Sequence, residues 1–195
     1  MRLTPLQFAL RDEASMDEGT HVPISALVVQ ALLRLGADPN RPDAMGRDPL
    51  EMVLHRLFEF VMREPDPPKG YEAIPKGYGV AIISLVRAGV RLVSKSRAIC
   101  PYGSLAEVAN HCEGDKDDAP SRDAWVLLES MLSCATTANI LKADLEFLRD
   151  GFREGPDGSD YDMYIGIEKN VQVSMLLADT LQRLYPQAGS PGVDG

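Results

Sequence analysis

The chain is short of positive charge: 20 Lys and Arg stand against 29 Asp and Glu, a formal net charge of −9. That balance excludes nucleic acid as the main partner, because holding phosphates needs a basic surface. No run approaches the 18 or so apolar residues of a membrane-spanning helix. The opening Met1-Arg2-Leu3-Thr4-Pro5 lacks the apolar stretch of a secretory signal. There are only 3 cysteines, an odd number without tight spacing, so no disulfide framework is expected. Together these features predict an intracellular protein, cytoplasmic or nuclear, that does not associate with a membrane. What is present is ordinary for a globular chain: 195 residues, 45% of them hydrophobic and 25% charged. This is enough for one domain or one repeat array with a core.

Gly and Pro punctuate a series of helical patterns. A first helix is expected from Thr4 to about Ala14, with Pro5 at its first position and Leu6, Ala9 and Leu10 on one face. Ile24 to Leu35 repeats apolar residues three and four apart, and Gly36 sits where a left-handed cap would end a helix. After the turn-rich Gly36 to Gly46, Asp48 can cap and Pro49 can open a helix to Val61. The loop from Glu64 to Gly77 holds Pro65, Pro67, Pro68 and Pro75, which excludes a regular element there. Tyr78 to Ala88 follows, closed by Gly89. Ser104 can cap a short helix to Asn110, and Asp123 can cap a longer one to Cys134. Two more are expected at Ile140 to Phe152 and Glu168 to Tyr185, and the tail 186–195 is expected to be disordered.

These helices repeat. Thr4-Pro5-Leu6-Gln7-Phe8-Ala9-Leu10 matches Asp48-Pro49-Leu50-Glu51-Met52-Val53-Leu54, with a poorer copy at Gly103-Ser104-Leu105-Ala106-Glu107-Val108-Ala109. Leu32-Leu33-Arg34-Leu35-Gly36-Ala37-Asp38-Pro39-Asn40 aligns with Ser84-Leu85-Val86-Arg87-Ala88-Gly89-Val90-Arg91. On these residues the chain resembles the ankyrin-repeat family over about residues 3–135. The match is most specific from 32 to 50, where Leu-Leu-Arg-Leu-Gly-Ala-Asp-Pro-Asn precedes a Gly-x-x-Pro-Leu helix start. The starts lie 44 and 55 residues apart, against a unit of 33. The surplus falls between the two helices of a unit, where insertions disturb stacking least.

The resemblance implies an all-α solenoid of stacked antiparallel helix pairs, about 3 to 4 repeats with a C-terminal cap. Its units would be ~3–36, ~37–89 and ~90–135, with a helical pair or degenerate cap at 136–185. In that family a Thr and a His brace each helix start. Here Gln7, Glu51 and Ala106 hold the His place, and Thr4, Asp48 and Gly103 the Thr place. The bracing is therefore expected to be lost in the second and third units.

No catalytic constellation stands out. His21, His55 and His111 fall in no triad signature, and there is no Gly-x-Ser-x-Gly elbow. Cys100, His111, Cys112 and Cys134 lack zinc-ligand spacing. Asp157, Asp160 and Asp162, like Asp115, Asp117 and Asp118, lack the EF-hand arrangement and read as solvated loops. The Lys-Gly-Tyr copies at 69–71 and 76–78 match no phosphate loop and read as turns. Trp125 reads as core. No metal, cofactor or catalytic residue is expected.

The resemblance implies a non-enzymatic interaction module or adaptor that binds another protein through the groove lined by connectors and first helices. Carried over position by position, the groove would use Arg41, Asp43, Met45 and Arg47 from one connector, with Met52, His55 and Arg56 outward on its helix. The next connector would give Lys95, Arg97 and Tyr102, and its helix Glu107. Arg41, Arg47, Arg56, Lys95 and Arg97 would make the groove more positive than the rest of the surface, suiting an acidic peptide or domain face. Two alternatives stand beside this reading. One is a small inhibitory protein acting through the Pro-rich insertion 64–77. The other, less favoured, is an enzyme on an unfamiliar helical fold.

Overall fold

A computed structural model of the chain describes residues 3–10, 25–63, 76–92, 119–154 and 167–186. The described residues form seven helices and no strand: α1 (Pro5–Leu10), α2 (Ala26–Arg34), α3 (Pro49–Arg63), α4 (Lys76–Arg87), α5 (Ala119–Cys134), α6 (Lys142–Glu154) and α7 (Ile167–Leu184). The short helix expected at Ser104 to Asn110 and the tail beyond Pro186 lie outside them.

Helix starts and stops follow local chemistry. Pro5 and Pro49 open α1 and α3, where the missing N–H costs nothing and the ring presets φ. At the first start the Thr4 amide donates to Gln7 Oε1 at 2.9 Å, and the Gln7 amide donates to Thr4 Oγ1 at 3.2 Å. This is a reciprocal capping box with glutamine as its third-position partner. At the second start the Asp48 amide donates to Glu51 Oε2 at 2.7 Å. The expected loss of bracing there is thus corrected: a carboxylate three residues on reaches the cap amide. The start of the third unit lies outside the described residues.

Both expected glycine stops are present. Gly36 and Gly89 have φ of 86° and 88°. In each, two amides return to carbonyls of the last turn: Ala37 to Leu32 and Gly36 to Leu33, Val90 to Leu85 and Gly89 to Val86, at 3.0 to 3.1 Å. This is the Schellman arrangement, and the left-handed residue is a glycine because a Cβ there is strained. Some starts differ from expectation: α5 begins at Ala119, so Asp123 lies within it rather than capping it; α4 begins at Lys76, so the end of the expected Pro-rich loop is helical; and α6 begins at Lys142 rather than Ile140. Pro120 is tolerated because it falls in the first turn.

The helices pack on one another in a chain of neighbours. α1 contacts α2, α3 contacts α4, and α6 contacts α7, while α2, α4, α5 and α7 touch in that order and α1 touches α3. One apolar cluster runs through the contacts, from Leu6, Leu10 and Val29 through Leu50, Leu57, Ile82 and Leu85 to Leu128, Met131, Leu145 and Leu177.

Polar side chains tie one helix-pair turn to the next. Asn40, after the α2 cap, donates through Nδ2 to Gly89 O at 3.0 Å and accepts from the Arg91 amide at 2.7 Å. Asn139, after α5, reaches the same turn from the other side: its Nδ2 donates to Val86 O at 2.9 Å and Val90 O at 2.8 Å. Its own backbone O accepts from the Leu92 amide at 2.9 Å. No glycine ends α5, and Arg183 from α7 caps its carbonyls instead, donating to Leu132 O at 2.6 Å and Ala135 O at 3.2 Å. Tyr185 Oη adds a 2.9 Å bond to Ile140 O.

Asn139 is buried, so Asn139→Ala should leave the carbonyls of Val86 and Val90 short of donors and destabilise the fold by about 1–3 kcal/mol. Asn40→Ala, at a more open turn, should cost less. Urea unfolding checks both: midpoints should fall in that order, with slopes unchanged.

Candidate protein-binding connector

The connector between α2 and α3 is built around one carboxylate. Asp43 Oδ1 accepts from the amides of Met45 at 2.8 Å and Arg47 at 2.9 Å. Its Oδ2 accepts from Arg47 Nε at 3.0 Å and Nη2 at 2.9 Å, a bidentate guanidinium pair. The backbone closes the same loop, with the Asp43 amide donating to Arg47 O at 2.9 Å and the Gly46 amide to Asp43 O at 3.1 Å. Gly46 supplies the left-handed residue this tight turn requires, at φ 83°.

The Asp43 side chain is only 4% exposed. Burial alone would raise its pKa. The two amides and the Arg47 guanidinium outweigh that and hold the carboxyl below its usual range.

The preceding helix pair fixes the base of the connector. Gln7 Nε2 donates to Arg41 O at 2.9 Å and Pro42 O at 2.8 Å. Gln7 is buried, and the one side chain thus caps α1 and pins the next connector. The Asn40 amide donates to Asp38 Oδ1 at 2.9 Å, which shapes the turn just before.

The candidate residues divide accordingly. Arg41 is exposed at the connector's entry, and Met45 is 77% exposed at its tip. Asp43 and Arg47 form the scaffold beneath them, with the Arg47 side chain 35% exposed. His55 is exposed on α3. Met52 and Arg56 are buried, which corrects the expectation that they point outward. Leu50 to Leu54 are also buried, because α3 lies between α1 and α4 and is covered on more than one side. Arg56 packs its guanidinium 5.9 Å from the centroid of the Tyr78 ring on α4, a cation–π contact. Lys95, Arg97, Tyr102 and Glu107 lie outside the described residues, as does the Pro-rich insertion except for its last residues at the start of α4.

Over the described residues the connector and α3 are consequently less basic than the sequence suggests. Arg41 faces solvent, Arg47 is neutralised by Asp43, and Arg56 is enclosed. Sequence reasoning missed Gln7 and Asn40, the two side chains that hold the connector. Both are amides beside a helix end, side chains that carry a donor and an acceptor for backbone groups of another segment.

The arrangement is a pinned loop with a guanidinium and a thioether side chain at its surface. Among the described residues no three His, Cys, Asp or Glu side chains gather as metal ligands, and no helix is long and apolar enough to cross a membrane. No protein-family model, curated protein or solved structure matches the chain.

Asp43→Asn should lower stability at pH 7 by about 1.5–3 kcal/mol, the worth of hydrogen bonds to a charged group. Because the folded-state pKa is depressed, this contribution is present above the unfolded value near 3.9 and is lost as pH falls through the folded one. Unfolding midpoints of parent and variant should therefore converge below about pH 4.

Proposed function

We propose that this chain is an ankyrin-like helical repeat module that binds a partner protein through the 41–48 connector and the adjoining face of the first helices. The observation that carries the reading is the rigidity of that connector. A loop pinned by Asp43, Gly46 and Gln7 and ending in an exposed Met45 loses little entropy on binding, which is what a recognition loop requires. Met and Arg are also enriched in protein interfaces.

The repeat reading is supported by the sequence of helix pairs with second helices in mutual contact. It is supported further by the recurrence of the clamp. Asn40 and Asn139 hold equivalent places, four residues after Gly36 and Ala135, and both bond the turn that ends α4.

The partner class follows from charge. With Asp43 paired to Arg47, the connector's remaining exposed charge at its entry is Arg41, which favours an acidic peptide or an acidic domain face.

The test is affinity capture from lysate with the parent chain beside Arg41→Glu/Met45→Asp. Both substitutions fall on exposed side chains, so circular dichroism and thermal midpoint should be unchanged. A protein retained by the parent and weakened about tenfold or more on the double variant supports the reading. Equal retention of every captured protein by both would move binding away from this connector.

A further inference from the structure

Away from the connector, α2, α4 and α5 lie side by side in that order. Each shows solvent an aliphatic side chain at the same register. Leu27, Val80 and Val126 each stand nine residues before the residue that ends the helix, Gly36, Gly89 and Ala135. They are 78%, 43% and 54% exposed, whereas Val29, Ile82 and Leu128, two positions further on, are fully buried or nearly so.

The next turn carries small side chains, with Gln30 Nε2 of α2 donating to Ser84 Oγ at 3.2 Å. The equivalent residues there are Ala31, Ser84 and Ser130. The Ser84 hydroxyl donates back to Val80 O at 2.6 Å and the Ser130 hydroxyl to Val126 O at 2.7 Å, so both are turned onto their own helices. Seven residues beyond the first two members of the row stand Arg34 and Arg87, both exposed and in the last turns of α2 and α4. A basic edge thus borders the aliphatic row in a chain whose net charge is −9.

Spacing selects the occupant. Packed helices lie about 8–10 Å apart. An α-helix rises 1.5 Å per residue, so residues seven apart on one face are separated by about 10.5 Å. A helix laid across α2, α4 and α5 with an aliphatic residue at every seventh position would set one side chain against each of Leu27, Val80 and Val126. Carboxylates on its flank would meet Arg34 and Arg87.

We propose that this row is a second docking surface, and that it takes an amphipathic helix of a partner protein with aliphatic residues at seven-residue spacing and an acidic flank. The surface shares no residue with the connector, so the two readings stand or fall separately.

The test titrates the full chain with a synthetic helical peptide of about three heptads, Leu at every seventh position and Glu along one flank, against a scrambled control. Trp125 adjoins Val126 and is the chain's single tryptophan, so its emission reports occupancy. Saturable binding of the patterned peptide is expected, with the scrambled one silent. Leu27→Glu/Val80→Glu should weaken binding at least about tenfold. Arg34→Gln/Arg87→Gln should weaken it about threefold and flatten its salt dependence. Arg41→Glu should leave it unchanged. Val126→Glu provides an independent substitution should the double variant lose its circular dichroism. No saturation by about 1 mM peptide, equal binding of the scrambled control, or binding that survives loss of Leu27 and Val80 would overturn the proposal. Sedimentation showing that the chain alone dimerises through Leu27 and Val80 would overturn it too, assigning the row to a second copy.

Discussion

The turn that ends α4 is held from both sides, and the continuity of the structure depends on that restraint. A helix pair of this size cannot bury its apolar faces alone, so it gains stability from the pairs beside it. Apolar contact supplies the energy but specifies the register poorly, because aliphatic surfaces can slide. The Asn40 amide set against Gly89 O and the Arg91 amide admits little sliding, and neither does the Asn139 amide set between Val86 O and Val90 O. The price of error is a buried polar group without a partner, which costs more than a correct bond contributes. Arg183 extends the same logic to the end of α5. Where no glycine turns the chain to satisfy the last carbonyls, a guanidinium from the next pair does so.

The connector inherits its order from that stack. Gln7 belongs to the first helix pair, yet its amide nitrogen holds carbonyls of the segment leading to the second. Asp43 then organises the tip through amides and a guanidinium rather than through burial of apolar side chains. A loop fixed in this way needs few hydrophobic anchors of its own. This is why Met45 can stay exposed without being needed for folding. Substitutions at the exposed tip can therefore be separated from substitutions in the buried scaffold.

Much of the helical layout was legible because it rests on local signals. Proline at a first position, glycine at a left-handed stop and apolar residues three and four apart need only neighbours in sequence to act. Gly36, Gly89, Pro5 and Pro49 all do what those signals say. The facing of α3 was less legible. Its periodicity distinguishes one apolar face, but α1 and α4 both pack on it, and Met52 and Arg56 are buried beyond that face. Arg56 shows the difficulty well: a long cationic side chain reads as surface until an aromatic ring on the next helix gives it an enclosed place. Charge on the groove was overread for a related reason, since a count of arginines does not show which one Asp43 neutralises.

The recurrence of asparagine is the least obvious signal and the most informative. Leu-Gly-Ala-Asp-Pro-Asn at 35–40 and Cys-Ala-Thr-Thr-Ala-Asn at 134–139 share only alanine out of register and the final asparagine. Pattern matching on glycine and proline passes over the second copy, because Ala135 replaces the glycine and Arg183 replaces its capping role. What the two segments have in common is the bonding of the turn that ends α4: Asn40 uses both donor and acceptor there, while Asn139 donates there and its Oδ1 accepts from Thr136 in its own turn. Several side chains can start or stop a helix. Fewer can bridge two turns. The polar bridges of Asn40 and Asn139 therefore mark which turns meet, which the apolar pattern around them does not.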